Sequence, residues 1–349
     1  MALPKKLLKK LGLSLGSLFV IFVLAEIVAR ASEPGPFSLF DSNPYEPHGS
    51  IHHVHKPSFE GRWDGTWYQT NSLRMRGAEL DLDFAEDEFR VVCVGDSCTF
   101  GKGVVEAASW PRQLEQELTV HAGGRYRPKV ANIGVNGYSG QSYMRLFEEL
   151  GPPLQPDLVV VGYNLNDFPN AIKAVDEKVF GDRKARAAVP LSLRNLMGRL
   201  ALYRWARGTY YEMNKDRDWQ SAESFAAGAA GDSIDSEVWQ KQQGFLEKIK
   251  TDAAASGAEM VVFLFPYESQ IYMDGYDTTP IERLSEVCQR IDVPFVDLAE
   301  VFRAHAHEVD PPRRLFLRGD RYHPTPEGYR LVAEEVRRVA GEKGWLPAE

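Results

Sequence analysis

From residue 88 onward the chain alternates short apolar runs with stretches of helical periodicity. The runs "RVVCVG" (90–95), "KVANIG" (129–134), "DLVVVGY" (157–163), "EMVVFLF" (259–265) and "VPFVDL" (293–298) are rich in valine and bounded by Gly, Pro or Asp. Apolar and polar residues do not alternate within them, which is the pattern of strands buried on both faces of a parallel sheet. Between them lie helical stripes. Trp110, Leu114 and Leu118 follow Ser109 as a candidate N-cap, and Phe245, Ile249 and Ala253 precede a stop at Ser256-Gly257. Tyr329, Val332, Val336 and Ala340 follow Thr325-Pro326 and run to Gly341. Five such strands joined by crossover helices predict a three-layer α/β/α sandwich.

A different pattern opens the chain. Lys5, Lys6, Lys9 and Lys10 precede the apolar stretch "LGLSLGSLFVIFVLAEIVA", residues 11–29. At about 1.5 Å per residue in a helix, that stretch nearly crosses a hydrocarbon core of about 30 Å. It predicts a transmembrane anchor or signal sequence, with membrane contact through residues 11–29. The positive-inside rule places everything after Arg30 on the far side of the membrane, periplasmic or at the cell surface. Ala29-Arg30-Ala31 has the small-x-small form of a cleavage site, but Glu26 and Arg30 sit poorly in one, so a retained anchor is the leading expectation.

The patterning divides the chain into a basic end and anchor (1–30), an extracytoplasmic linker and extension (31–87), and an α/β domain (88–345). Residues 32–60, rich in Pro, Gly, Ser and His without a sustained period, read as a linker. His48, His52, His53 and His55 crowd there, with no Cys or acidic partner at a regular metal-ligand spacing, and are expected in a solvated or packed loop. About seventy residues, 168–236, separate the third and fourth strands, far more than an ordinary connection. A helix is expected over 193–211, and the insertion is open to three readings: lid or substrate wall, membrane-surface contact, or packed elaboration.

At 349 residues, 44% hydrophobic and 26% charged, the chain has ample material for a core. A formal charge of -8, with no basic stripe beyond the first ten residues, argues against a nucleic-acid partner. Cys93, Cys98 and Cys288 are too few and too irregularly spaced for a disulfide framework or a zinc site.

Candidate chemistry collects just beyond the strand ends, where open α/β sheets bind ligands. In "VVCVGDSCTFGKG", Ser97 falls just past the first strand, and Gly95, Gly101 and Gly103 permit sharp turns. A serine needs a base to take its proton, and the base needs a third group to orient it. Of the eight histidines, His323 in "GDRYHPTPEGY" has the best context, three residues after Asp320 and directly before a helix. A carboxylate folded back over that turn can hold one imidazole nitrogen and leave the other free. Two further candidates for oxyanion donors follow strands on the same edge: the backbone N–H of Gly137 in "NIGVNGYSG" and the side-chain amide of Asn166 in "YNLND". With the N–H of Ser97 they make a three-donor hole. Asp96 and Asp167 are expected to brace their loops, and Cys98 to be a buried, inert thiol. His305 and His307 are expected on a solvated helix face.

The ordered blocks "GDSCT", "NIGVNG", "NLND" and "DRYH" resemble those of the SGNH hydrolases, the GDSL esterase/lipase family, over residues 88–345. The resemblance implies a flavodoxin-like sheet, Ser97 as nucleophile, Asp320 and His323 completing the triad, and Ser97, Gly137 and Asn166 as the oxyanion hole. It implies no cofactor and no metal. Two departures stand out: the usual leucine after the serine is absent, with Cys98 and Thr99 following it, and Asn164 stands where the third block usually has glycine, either as a candidate pocket contact or as a shift of the local turn. The leading expectation is a serine esterase cleaving acyl esters, acetyl foremost, on cell-envelope carbohydrate or a smaller ester. An O-acyltransferase on envelope polysaccharide, a lipase or thioesterase, and a non-catalytic carbohydrate-binding or assembly protein are the alternatives.

Overall fold

The structure, a computed structural model, describes residues 5–167, 197–210, 213, 233–272, 275–307 and 315–347. Its centre is a five-stranded sheet made of β5 (Glu88–Gly95), β6 (Arg127–Asn132), β7 (Leu158–Asn164), β8 (Glu259–Phe265) and β9 (Phe295–Asp297). The spatial order is β6-β5-β7-β8-β9, and every neighbouring pair is parallel. This is the doubly wound flavodoxin-like order, with its topological switch beside the first strand of the sheet, β5.

Successive side chains of a strand point to opposite faces, and here both faces are buried. Val92 and Val94 join Val159, Val161, Val262 and Leu264 in one core, under helices Gly140–Leu150, Glu237–Ala255 and Thr279–Arg290. Val91 and Cys93 join Val160, Val261 and Phe263 in the other, under helices Trp110–Ala122, Leu298–His305 and Pro326–Glu342. The predicted three-layer sandwich is therefore the observed one. Thr325 caps the last helix by accepting from Gly328 N at 3.2 Å. Ser109 stands at its predicted N-cap position but makes no capping bond, because its Oγ donates to Glu106 O at 2.7 Å.

Residues 45–69 depart from the expected linker. They form two antiparallel hairpins, β1 (Tyr45–Pro47) with β2 (His53–His55), and β3 (Glu60–Trp63) with β4 (Thr66–Gln69). The second turns at Asp64-Gly65, both at positive φ, the geometry of a two-residue hairpin turn. His55, Tyr68 and Arg62 are buried. His55 packs on Phe100, with ring centroids 5.0 Å apart, and Tyr68 on Phe100 at 4.7 Å. The extension thus lies directly on the turn that follows β5.

Helix Lys5–Ala31 leads the chain, and its segment Lys9–Ala31 is long and apolar enough to cross a membrane, with a mean hydropathy of 2.3. Its length and composition suit a membrane anchor or a signal sequence. Of the insertion, residues 197–210, 213 and 233–236 are described, with 201–210 helical as expected. The rest, and with it any lid or substrate wall, lies outside the described residues.

Candidate active site

The turn after β5 is tight. A Cβ on Gly95, which has φ +156°, would stand 2.4 Å from Gly162 O on β7 and 2.3 Å from Thr99 Oγ1, so only glycine lets the strand end there. Asp96 then caps the short helix Ser97–Phe100, its Oδ1 accepting from Cys98 N at 2.8 Å. Ser97 is left at the first helical position, where its backbone N–H has no intrahelical acceptor.

Ser97 Oγ lies 2.8 Å from His323 Nε2, and His323 Nδ1 lies 2.7 Å from Asp320 Oδ2. A carboxylate only accepts, so Nδ1 carries the proton and Nε2 is free to take one from the serine hydroxyl. The loop around them is bonded to itself: Asp320 Oδ1 accepts from Tyr322 N and His323 N, each at 3.1 Å, and Leu317 N donates to His323 O at 2.9 Å. The Tyr322 ring lies against the imidazole, with centroids 4.3 Å apart. Burial pushes the Asp320 carboxyl up, but the charge and hydrogen bond of His323, with help from Lys102 and Tyr322 N–H, outweigh it and hold the group well below the usual carboxylate range.

The two other loops arrive at the same edge. Ile133 N donates to Cys93 O at 3.0 Å and Val135 N to Gly95 O at 3.2 Å, so the segment after β6 continues the pairing past the strand and delivers Gly137. Gly137 has φ +79°, and the space that a Cβ would fill there is open. Among the described residues neither the Ser97 N–H nor the Gly137 N–H has an acceptor. Asn166 follows β7 in the 3-10 turn Leu165–Asp167, and its side chain lies outside the described residues.

Asn164 lies inside the turn. It is wholly buried, its Nδ2 3.2 Å from Cys98 Sγ and its N–H on Asp167 Oδ2 at 3.0 Å. The departure from glycine braces the floor of the turn that carries Ser97. Cys98 is fully buried as well; burial, with Asp96 beside it, pushes the thiol well above its ordinary value. Asp96 and Asp167 both cap backbone N–H groups, and the three cysteines are free thiols. His305 is half-buried at the end of its helix, with Nδ1 2.8 Å from Val301 O, while His307 lies just past the helix and is exposed.

The family model of GDSL-like lipases and acylhydrolases matches residues 93–331, more than half of the chain. The chain belongs to that family. This GDSL-like protein is accordingly an ester-hydrolysing serine hydrolase. No curated protein matches it in sequence. Among solved structures it is similar to TesA, at 15% identity over 74% of this chain and 99% of that one, with a TM-score of 0.43. It is also similar to the acetyl xylan esterase AlAXEase, at 13% identity over 72% and 99% with a TM-score of 0.42, and to a lipase/acylhydrolase from Enterococcus faecalis, at 14% over 73% and 96% with a TM-score of 0.42.

Sequence reasoning missed the residues that hold these loops from outside. Arg76, buried, donates to Phe100 O, to Gly101 O at 2.6 Å and to Val104 O at 2.6 Å, and its guanidinium lies 4.2 Å over the Phe100 ring. His53, Tyr45 and Tyr68 reach Asn136, the residue before Gly137. The signal that could have found them is the Asp64-Gly65 pair inside "EGRWDGTWYQ", a hairpin mark that makes this region part of the fold.

Proposed function

We propose that the GDSL-like hydrolase acts through Ser97, His323 and Asp320 on acyl esters beyond the membrane, with acetyl esters of cell-envelope carbohydrate as the leading substrate class. The observation that carries the catalytic reading is the 2.8 Å contact of Ser97 Oγ with His323 Nε2, backed by Asp320 at 2.7 Å. Ser97 Oγ attacks the ester carbonyl as its proton passes to His323 Nε2. The carbonyl oxygen becomes an oxyanion received by the N–H groups of Ser97 and Gly137, with the Asn166 amide as the third donor. His323 then protonates the departing alcohol. Water, deprotonated by the same imidazole, attacks the acyl-serine and releases the carboxylic acid and free Ser97.

The address rests on the first helix and on its lysines, and its retention on contacts at the helix end. Glu26 accepts from Ala201 N at 2.8 Å and Leu202 N at 3.0 Å, capping the 201–210 helix, and bonds Arg30 Nε at 2.8 Å. Arg30 is buried and donates to Arg199 O, to Asp41 Oδ1 at 3.4 Å and to Ser38 O at 3.5 Å. Cleavage at Ala29-Arg30-Ala31 would tear out a built part of the body. The substrate class follows from the address, since an enzyme so tethered meets esterified envelope glycans.

The test uses the full chain in detergent, because the last turns of the first helix belong to the fold. Wild type is expected to release acid from a series of esters of graded acyl length, fastest for acetyl, and to be labelled at Ser97 by a fluorophosphonate. Ser97→Ala is expected to abolish both. Near-native turnover by Ser97→Ala sinks the catalytic reading, and acetate release that requires an acceptor sugar replaces hydrolysis with transfer.

A further inference from the structure

The Asn136–Gly137 peptide is gripped by a part of the chain that precedes the hydrolase fold. His53, on β2, has its Nε2 3.1 Å from Asn136 O. A carbonyl oxygen only accepts, so Nε2 carries the hydrogen. The neutral imidazole then has Nδ1 as an acceptor, and His52 Nδ1 lies 3.1 Å from it as donor. Burial holds the His53 imidazole below its ordinary value, against the opposing effect of the Asn136 bond, which suits this neutral form. The ring is set edge-on between Tyr45 and Tyr138, with centroids 4.9 and 5.4 Å away, and Tyr138 Oη donates to the His53 carbonyl. The Asn136 carboxamide is held in turn between Tyr45 Oη at 2.8 Å and Tyr68 Oη at 2.5 Å.

A trans peptide is planar, and its C=O and N–H point in opposite directions. Fixing the Asn136 oxygen on His53 therefore fixes where the Gly137 N–H points. That matters at this residue, because Gly137 lacks the Cβ that would otherwise restrict rotation of the peptide, and it sits at φ +79° in open space. An oxyanion donor acts through preorganisation, so a donor whose peptide plane wanders contributes less in the transition state than in a fixed site.

We propose that His53, on the hairpin ahead of the α/β domain, is a positioning residue that aims the Gly137 N–H at the oxyanion by holding the Asn136 carbonyl. The proposal rests on the reading of Ser97 and Gly137 given above. It gives the extension a part in the reaction: the hairpin supplies the outer wall of one loop of the site and holds the Asn136 carbonyl, which the bonds of Ile133 and Val135 to β5 do not reach.

The experiment compares wild type, His53→Leu and His53→Gln as full-length protein, on one ester and on its thionoester, with Ser97 labelling and thermal midpoint measured alongside. The thionoester develops its charge on sulfur, a weaker acceptor, and so draws less on the donor. His53→Leu is expected to lower kcat on the ester by about 30-fold, less than the loss of a whole donor, with KM within about twofold of wild type. The thionoester is expected to lose markedly less. His53→Gln keeps an N–H donor and is expected to recover most of the rate. Equal losses on both substrates, a loss that only follows the unfolded fraction, Gln no better than Leu, or unchanged kcat in His53→Leu would each overturn the proposal. Wild type that turns over esters without labelling at Ser97 would instead overturn the reading it rests on.

Discussion

The loop from Leu315 to Thr325 is closed by bonds among its own residues, whereas the loop from Ile133 to Tyr138 depends on residues far away in sequence. In the first, Thr325 N donates to Leu315 O at 2.9 Å, Asp320 N to Leu317 O at 3.0 Å, and the Asp320 carboxylate takes two N–H groups and the imidazole from the next three residues. In the second, His53 meets Asn136 across 83 positions, Tyr45 across 91 and Tyr68 across 68. Both loops end at the same serine. His323 is therefore oriented by local geometry that travels with its motif, and the Asn136–Gly137 peptide is held by an added layer that the sheet itself does not contain.

The strongest test of the self-contained loop is Asp320→Asn. The amide keeps an oxygen for the N–H groups of Tyr322 and His323, so the turn and the thermal midpoint should persist. Its NH2 would face His323 Nδ1 and force the proton onto Nε2, the nitrogen that must accept from Ser97. A loss in kcat of about 10³ to 10⁴ is expected. The carboxylate removed is held ionised well below neutral pH, so the loss should be present in full from about pH 7 to about pH 8. Recovery of activity within that range would show that another group orients the base.

The same contrast explains what was legible in the sequence. The central strands β7 and β8 were the most readable because a doubly buried strand has little room for polar residues on either face, and their valine runs said so. The candidates Ser97, Asp320 and His323 could be picked out because each sits beside its own turn-forming neighbours, Gly95 and Asp96 in one case and Pro324 and Thr325 in the other. His53, Tyr45, Tyr68 and Arg76 were not, because nothing in their local windows shows that they reach Asn136, Phe100 or Val104. Strands of only three or four residues give no periodic signal, and the hairpin mark at Asp64-Gly65 stood alone. The contact of Asn164 was hidden for a related reason: its partner Cys98 belongs to another strand end, 66 positions away.

Arg76 gives the next largest effect and falls on stability. Its guanidinium satisfies the carbonyls of Phe100, Gly101 and Val104 at the end of the nucleophile turn, inside a buried site. Burial holds it down to about 10, still charged at neutral pH. Arg76→Ala leaves three carbonyls without that donor and opens a void under Phe100, for an expected loss of about 3 kcal/mol or more in chemical denaturation. Arg76→Lys should recover only part, because one ammonium cannot match the fork that spans the three carbonyls. A variant as stable as wild type would mean that the extension merely rests on the turn.

His55 sharpens the comparison by pH. It lies in the same hairpin as His53, fully buried against Phe100 and Tyr45, and burial pushes its imidazole down to about 3. An unfolded chain would protonate this ring near its ordinary value of about 6.5. Between those two values the unfolded state binds a proton that the folded state refuses, so stability falls as pH falls, by about 1.4 kcal/mol per unit. His55→Phe keeps the ring and removes the titration. Relative to wild type it should gain roughly 2 kcal/mol at pH 5 over its difference at pH 8. Thermal midpoints across that range measure it, and parallel curves for the two proteins would show that the extension opens to water before the sheet does. If the curves diverge as expected, the hairpin unfolds together with the sheet, which is the cooperativity that a loop fastened from outside requires.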